Sequence, residues 1–243
     1  MTDNTDWHNC RVVLRKTSLI DYAGLISAVI FFPGCNLRCP WCHNRELVLN
    51  SGTNAGYISL KDALKHIAKR KNVLGGVTLS GGEPTLFSGL GALISHIKSF
   101  DLLVKLDTNG LLPEVLQSLF ETKETRPDYI AMDLKTSPDR YIDLLPDKTI
   151  ANGTEKDGIN PAYAITQSAA LIRASGILHE FRSLALPEGN AALPANSGQK
   201  PFFDEETKTV LAAIAGDSPW NIRPFIPGNC VDPAWDVYSA TLP

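Results

Sequence analysis

Apolar runs alternate with segments of helical periodicity along most of this chain. Several of the runs are apolar at almost every position, a pattern typical of strands that are covered on both faces of a sheet. They predict six strands, over residues 28–32, 76–80, 102–106, 129–134, 178–186 and 221–226.

The segments between the strands predict helices, because their apolar residues recur every three to four positions. In the first of them, Leu60, Leu64 and Ile67 share one face behind Ser59, a residue type that caps helix N-termini. Further signals are Ser88, Pro113 and Asp204 at helix beginnings, and Gly176 and Gly216 at helix ends.

Alternation of strands and helices predicts a parallel sheet built from right-handed βαβ units. About six units fit, fewer than the eight of a closed barrel, so the predicted fold is an open, partial (β/α)6 barrel of the TIM type. We expect a single domain over residues 1–243, with a core from about 17 to 236. Residues 146–161 and 187–201 break the alternation and are predicted to be surface loops.

The composition is that of a soluble globular protein, with 44% hydrophobic and 20% charged residues. A net charge of −3 argues against nucleic acid as a partner. No apolar run approaches the roughly 20 residues that span a bilayer, and the polar first ten residues carry no signal-peptide core. We therefore expect a cytoplasmic protein with reduced thiols and no membrane partner.

The polar motifs of the chain follow predicted strands, which is where parallel α/β folds place their sites. They are the loop 35–42, Gly81-Gly82-Glu83-Pro84, Asp107-Thr108-Asn109-Gly110 and residues 227–229. Asp133 with Lys135 ends the fourth predicted strand, and Arg182 lies within the fifth. Because the carboxyl ends of parallel strands lie at one edge of a sheet, we expect these residues to form one site.

The loop after the first predicted strand is rich in thiols. Three lie within eight residues, at Cys35, Cys39 and Cys42. Thiolates are soft ligands that select iron–sulfur clusters, zinc or copper(I). A zinc site with His43 as fourth ligand is disfavoured, because structural zinc sites use two separated ligand pairs and the sequence has no second pair. Cys10 and Cys230 are interpreted as structural or bystander thiols.

The C-x3-C-x2-C spacing of this loop, with Trp41 before the last cysteine, resembles the radical S-adenosylmethionine (SAM) enzymes. Residues 31–44 and 17–22 resemble, more narrowly, the activating enzymes of glycyl radical proteins, above all the short activases of anaerobic ribonucleotide reductase. The resemblance extends over about residues 17–236 and implies the same open-barrel fold.

Two alternatives stay open. One is a radical SAM enzyme that acts on a small molecule, such as a 7-carboxy-7-deazaguanine synthase. That family usually has a Gln-Gly-Glu stretch before the cysteine loop, whereas residues 18–24 here are Ser-Leu-Ile-Asp-Tyr-Ala-Gly. The other alternative is a non-catalytic metal-binding module.

The resemblance implies cofactor contacts for the cysteine loop and the glycine motif. The three cysteines would hold a 4Fe–4S cluster whose open iron takes the amino and carboxylate groups of SAM. Trp41 would pack on the adenine, with the backbone of His43 and Asn44 facing it, and a core tryptophan is the alternative. The family motif that holds the methionine amino group is matched by Gly81, Gly82, Glu83 and Pro84.

The later motifs would complete the site. Asp107, Thr108 and Asp133 match positions that border SAM in the activases and can hold a monovalent cation, for which oxygen ligands are suited. Asn109 belongs to the same turn. Lys135 would face the SAM carboxylate, and Arg182 would bind it or pair within the barrel.

The implied reaction is reductive cleavage of SAM to methionine and a 5′-deoxyadenosyl radical, which takes a hydrogen atom from a glycine of the partner reductase. No acid–base residue is required, because the cofactors carry the chemistry. A flavodoxin or ferredoxin would supply the electron. Since the sequence has no further cysteine clusters, we expect one cluster.

Overall fold

The computed structural model describes residues 10–49, 56–146, 160–187 and 201–236. They contain eight strands: β1 Arg11–Ser18, β2 Ser27–Phe32, β3 Tyr57–Ser59, β4 Gly76–Gly81, β5 Leu103–Thr108, β6 Tyr129–Asp133, β7 Leu178–Ala185 and β8 Trp220–Pro224. Their α-helices are α1 Arg45–Leu49, α2 Leu60–Arg70, α3 Leu90–Lys98, α4 Pro113–Phe120, α5 Pro161–Ala174 and α6 Glu205–Ala215.

All eight strands form one sheet in the order β3-β1-β2-β4-β5-β6-β7-β8. The six strands from β2 to β8 that lie side by side are parallel, and they are the six that the sequence predicts. Within the described ranges β3 and β8 end the sheet without pairing to each other. The prediction of an open, partial barrel of parallel strands is confirmed.

Two strands and one helix were not predicted. β1 and β3 extend the sheet antiparallel to β2. β1 is partly exposed and carries charged residues, so its pattern differs from the continuous apolar runs of the parallel strands. β3 and α1, with three and five residues, are too short for a periodicity to emerge.

Most helix signals act as predicted, but Ser88 does not cap α3, whose N-cap is Gly89 without a side-chain hydrogen bond. Ser59 accepts a hydrogen bond from the Asp62 amide at the start of α2, and Asp204 accepts one from the Thr207 amide at the start of α6. Gly216, with a positive φ of 60°, ends α6, because few other residues adopt that backbone conformation without strain.

The strands separate an apolar face from a polar interior. In β5 the alternate residues Val104 and Leu106 are fully buried in the hydrophobic core. Lys105 and Asp107 point the other way, where they pair with each other at 3.1 Å. The concave interior of the open barrel is therefore lined by charged groups, which positions the site.

Some predictions concern residues beyond the described ranges. The predicted loops 146–161 and 187–201 fall almost wholly outside them, and the single domain over the full chain stays a prediction. In the part of the chain that the structure describes, no helix is long and apolar enough to cross a membrane.

Candidate active site

A cavity of about 500 Å³ lies at the carboxyl ends of the parallel strands. The structure brings nearly all predicted site residues to its wall: Cys35, Cys39, Trp41, Cys42, His43, Asn44, Gly81, Gly82, Glu83, Asp107, Thr108, Asn109, Asp133, Lys135 and Arg182. Pro84 is buried in a short 3-10 helix behind the wall and does not line the cavity.

The cysteine loop is held against the end of β4 by glycine backbone. The Gly82 amide donates to the Phe32 carbonyl at 2.8 Å, and the Glu83 amide donates to the Gly34 carbonyl at 2.9 Å. A Cβ on Gly82 would lie 1.8 Å from the Gly34 carbonyl oxygen. Only glycine permits this approach of two backbones.

Two further contacts brace the cysteine loop, and sequence reasoning missed both. The Arg38 guanidinium donates to the carbonyls of Cys35 at 2.7 Å and of Leu37 at 2.9 Å. The segment after β8 also binds the loop through its backbone. The Val231 amide donates to the Cys42 carbonyl and the Asp232 amide donates to the Pro40 carbonyl, both at 2.9 Å. The predicted rim residues 227–229 are thus followed directly by a segment that holds the loop in place.

Of the three thiols, Cys39 is buried and Cys35 and Cys42 are partly buried. Burial raises the pKa of Cys35 to about 11 and raises the pKa of Cys39 well above its usual range. A metal centre that binds here must therefore displace thiol protons. Among the described residues, no three His, Cys, Asp or Glu side chains are placed to hold one metal ion. The His43 ring lies against Phe225, with centroids 5.7 Å apart.

Trp41 is packed within the protein. Only 2% of it is exposed, and its ring lies 4.8 Å from that of Phe202 and 5.3 Å from that of Trp235. This packing accounts for the residue as a core tryptophan. Trp41 also borders the cavity, so a contact with adenine is compatible with this packing and stays a prediction.

Glu83 is buried and hydrogen-bonded on both oxygens. Its Oε1 accepts from the amide and hydroxyl of Thr85, at 3.1 and 2.6 Å, and from the Thr108 hydroxyl at 2.8 Å. Its Oε2 accepts from the Asn109 amide at 2.7 Å. Burial raises the pKa of Glu83, and these donors oppose the rise. The carboxylate thereby joins the ends of β4 and β5.

A chain of ion pairs crosses the cavity floor. Asp133 pairs with Lys135 at 2.8 Å and with Arg182 at 2.9 Å. Arg182 reaches Asp107 at 3.5 Å, and Lys105 reaches the same Asp107 oxygen at 3.1 Å. Burial would raise the pKa of Asp133, but the charges of Arg182 and Lys135 outweigh it and lower the pKa to about 2. Asp133 is therefore ionised at neutral pH.

One acceptor in this group of ion pairs lacks a hydrogen-bond donor among the described residues. Oδ1 of Asp107 is buried and has two cations nearby, yet it accepts no well-directed hydrogen bond from any described residue. The monovalent cation predicted for Asp107, Thr108 and Asp133 stays a prediction, because those two carboxylates already have protein cations beside them.

Comparison with known proteins decides the family. The model of the radical SAM superfamily matches residues 29–155. The chain belongs to the radical SAM superfamily. Membership makes it an enzyme of the oxidoreductase type and implies a 4Fe–4S cluster and SAM as cofactors, and it confirms the resemblance that the cysteine loop carries.

Several relatives indicate the branch of the superfamily. A provisionally named glycyl-radical enzyme activating enzyme of Methanocaldococcus jannaschii is 30% identical over 216 residues, which cover 88% of this chain and 79% of the relative. The pyruvate formate-lyase-activating enzyme of Streptococcus mutans is 32% identical over 153 residues, 58% of this chain and 57% of the relative. The 7-carboxy-7-deazaguanine synthase of Aquifex aeolicus is 35% identical over only 89 residues, 37% of this chain and 38% of the relative.

A solved structure agrees on the fold. The structure of TYW1 with a lysine-pyruvate adduct has a TM-score of 0.55 and 13% identity, and the match covers 87% of this chain and 70% of that one. At this identity the likeness shows the fold alone.

Proposed function

We propose that this radical SAM enzyme activates a glycyl radical enzyme by generating a radical on a glycine of that partner. One observation carries the proposal: the three cysteines of one loop line the same cavity as the glycine pair and the ion-pair chain. The relative from Methanocaldococcus jannaschii, whose name states this activity, matches 88% of the chain.

The cysteine loop fits a cluster with one open iron. Such clusters take four cysteine ligands when closed, and this loop offers three, at Cys35, Cys39 and Cys42. The cavity volume of about 500 Å³ lies within the range of sites that bury a cofactor-sized ligand. When bound, the cluster and SAM would supply the chemistry, in which one electron breaks the C5′–S bond and the resulting 5′-deoxyadenosyl radical takes a hydrogen atom from glycine.

The charges of the cavity suit the methionine end of SAM. Two cations, Lys135 and Arg182, line the cavity beside the carboxylates Asp107 and Asp133. Lys135 would face the carboxylate of the ligand as a point charge. The under-used Asp107 Oδ1 is an acceptor for the ligand ammonium or for a monovalent cation.

The residues of the site bind, orient and exclude water, and none needs to transfer a proton. The glycine of the partner must reach the open side of the barrel, so the partner segment has to be flexible. We propose anaerobic ribonucleotide reductase as the partner and a flavodoxin or ferredoxin as the electron donor.

The first test is cleavage of SAM by the protein alone. The chain is reconstituted anaerobically with iron and sulfide, reduced with dithionite and mixed with SAM, and 5′-deoxyadenosine is measured by chromatography. We expect product from the wild type and from Cys10→Ala, whose thiol does not line the cavity, and none from Cys39→Ala. A wild type that holds its cluster yet forms no product, with or without a partner, would refute the proposal.

The second test separates activation from small-molecule chemistry. If the protein is an activase, a glycyl radical signal should appear in electron paramagnetic resonance when a glycyl radical protein is added. The rival, to which the short match with 7-carboxy-7-deazaguanine synthase points, is an enzyme that acts on a small molecule. For that enzyme, product formation should depend on a small substrate, and no radical signal should appear on the added protein.

A further inference from the structure

The side chain of Asn109 reaches from the end of β5 to the cysteine loop. Its Nδ2 donates to Asn36 Oδ1 at 2.7 Å and approaches the Cys35 sulfur at 3.8 Å. Asn109 is 5% exposed, so water does not compete for these hydrogens. The amide group has two hydrogens and, on this side, two acceptors.

The orientation of this amide is fixed by its other end. Oδ1 of Asn109 accepts a hydrogen bond from the Leu111 amide at 3.0 Å. A flipped side chain would set a nitrogen donor against that N–H, so only the oxygen can face Leu111. The donor end of Asn109 must therefore point at the cysteine loop.

Glu83 holds the backbone that carries Asn109. The Asn109 amide donates to Glu83 Oε2, and the preceding Thr108 hydroxyl donates to Oε1. Glu83 is 1% exposed and both of its oxygens are occupied by these bonds and those from Thr85. The glycine motif is thus connected to the cysteine loop through a buried carboxylate.

The Cys35 sulfur is the acceptor at the end of this path. The Leu37 amide donates to it at 3.4 Å, and the Asn109 amide is the second donor. A metal-bound thiolate has no proton to donate, so both contacts would act on it as hydrogen bonds to sulfur. Such bonds stabilise the more negative, reduced state of an iron–sulfur cluster and raise its reduction potential.

We propose that Asn109 is a positioning residue that sets the reduction potential of the cluster through Cys35, and that Glu83 acts through Asn109. The inference rests on the proposed function, because it requires the cluster. It also gives the glutamate of the glycine motif a task apart from contact with SAM.

The test is a redox titration of the reconstituted full-length protein without SAM, followed by electron paramagnetic resonance. Asn109→Ala and Asn109→Asp remove the donor to sulfur, and we expect the equilibrium constant for reduction to fall roughly tenfold, about 59 mV for a one-electron couple. Glu83→Gln should shift the potential in the same direction and by less. Its amide oxygen would take the place of Oε1, which accepts from three donors, and its NH2 group, a donor, would then face the Asn109 N–H.

Asn160→Ala is the matched control. Asn160 also fixes a backbone amide with its side chain, that of Tyr163 at 3.1 Å, but at the start of α5. The Asn160→Ala variant should be less stable than the wild type and keep the wild-type reduction potential of the cluster. The inference is wrong if both Asn109 variants titrate like the wild type, or if neither holds a cluster while the control does, since Asn109 would then serve assembly. A wild type that assembles no cluster would instead refute the proposed function.

Discussion

Asp133 is the residue on which the ion-pair chain depends. It lies between Lys135 and Arg182, at 2.8 and 2.9 Å, and its side chain is 27% exposed. Asp133→Asn keeps the size of the side chain and removes the charge. The two cations would then lie side by side with only Asp107 near Arg182 as compensation. We expect a less stable protein.

The pKa of Asp133 gives the size of the effect. The pairing lowers it from 3.8 to about 2. At 1.36 kcal/mol per pKa unit, this difference corresponds to about 2.5 kcal/mol of folding free energy at neutral pH. Removal of one partner from a fully buried ion pair costs about 3–5 kcal/mol of folding free energy. Because Asp133 is partly exposed, the loss of stability in Asp133→Asn should lie at the lower end of that range or just below it.

The assay is urea unfolding of the apoprotein under reducing conditions, followed by circular dichroism at several pH values. Because the pKa is lowered in the folded state, the stabilisation is complete above about pH 4 to 5 and is lost as the pH falls toward 2. The difference between wild type and Asp133→Asn should be constant from pH 7 to 5 and fall to roughly half at pH 3.

A surface pair serves as the control. Asp143 pairs with Arg140 at 3.2 Å and is 47% exposed, so Asp143→Asn should cost less than about 1 kcal/mol. A difference for Asp133→Asn that is no larger than that of the control, or that does not change with pH, would refute the electrostatic account of this site.

Three further predictions follow from single contacts. Gly82→Ala forces a Cβ to within 1.8 Å of a backbone oxygen of the cysteine loop and should abolish iron loading, whereas Gly56→Ala has open space and should load normally in the same iron assay. In the wild type the Lys135 amide donates to the Tyr141 hydroxyl at 2.8 Å. Tyr141→Phe leaves that amide without an acceptor and should lower the free energy of unfolding in urea by about 1–3 kcal/mol. Cys230, a buried thiol whose pKa burial raises to about 11, should resist alkylation in the folded protein and react once it is unfolded.

Among the parallel strands, β2 shows most plainly why prediction was possible. It is buried at five of its six positions and is apolar at five of six, which a sequence reveals directly. β1 escapes the same reasoning, because its exposed positions carry charged side chains. Its place in the sheet is decided by pairing with β2, a contact that no local pattern specifies.

Which residues belong to the site could also be predicted, from the topology of the sheet. Residues that follow parallel strands meet at one edge whatever the details of packing, so motifs far apart in sequence could be assigned to one cavity. Lys105 was missed, although a lysine between Val104 and Leu106 in an apolar strand is itself a signal. A charge on the inner face of a barrel needs a partner, and Asp107 lies two residues further along the same strand.

Glu83 shows where such reasoning ends. Its position at the cavity follows from the strand before it, and its charge follows from its type. Its partners do not, because two of its four hydrogen bonds depend on whether the ends of β4 and β5 lie close enough for the Thr108 hydroxyl and the Asn109 amide to reach it. The other two depend on the turn that brings Thr85 back. A carboxylate near a cationic ligand can bind that ligand or hold the wall behind it. Since four protein donors already occupy both oxygens, we conclude that the wall is its first task, and the titration of Asn109 and Glu83 variants tests that conclusion.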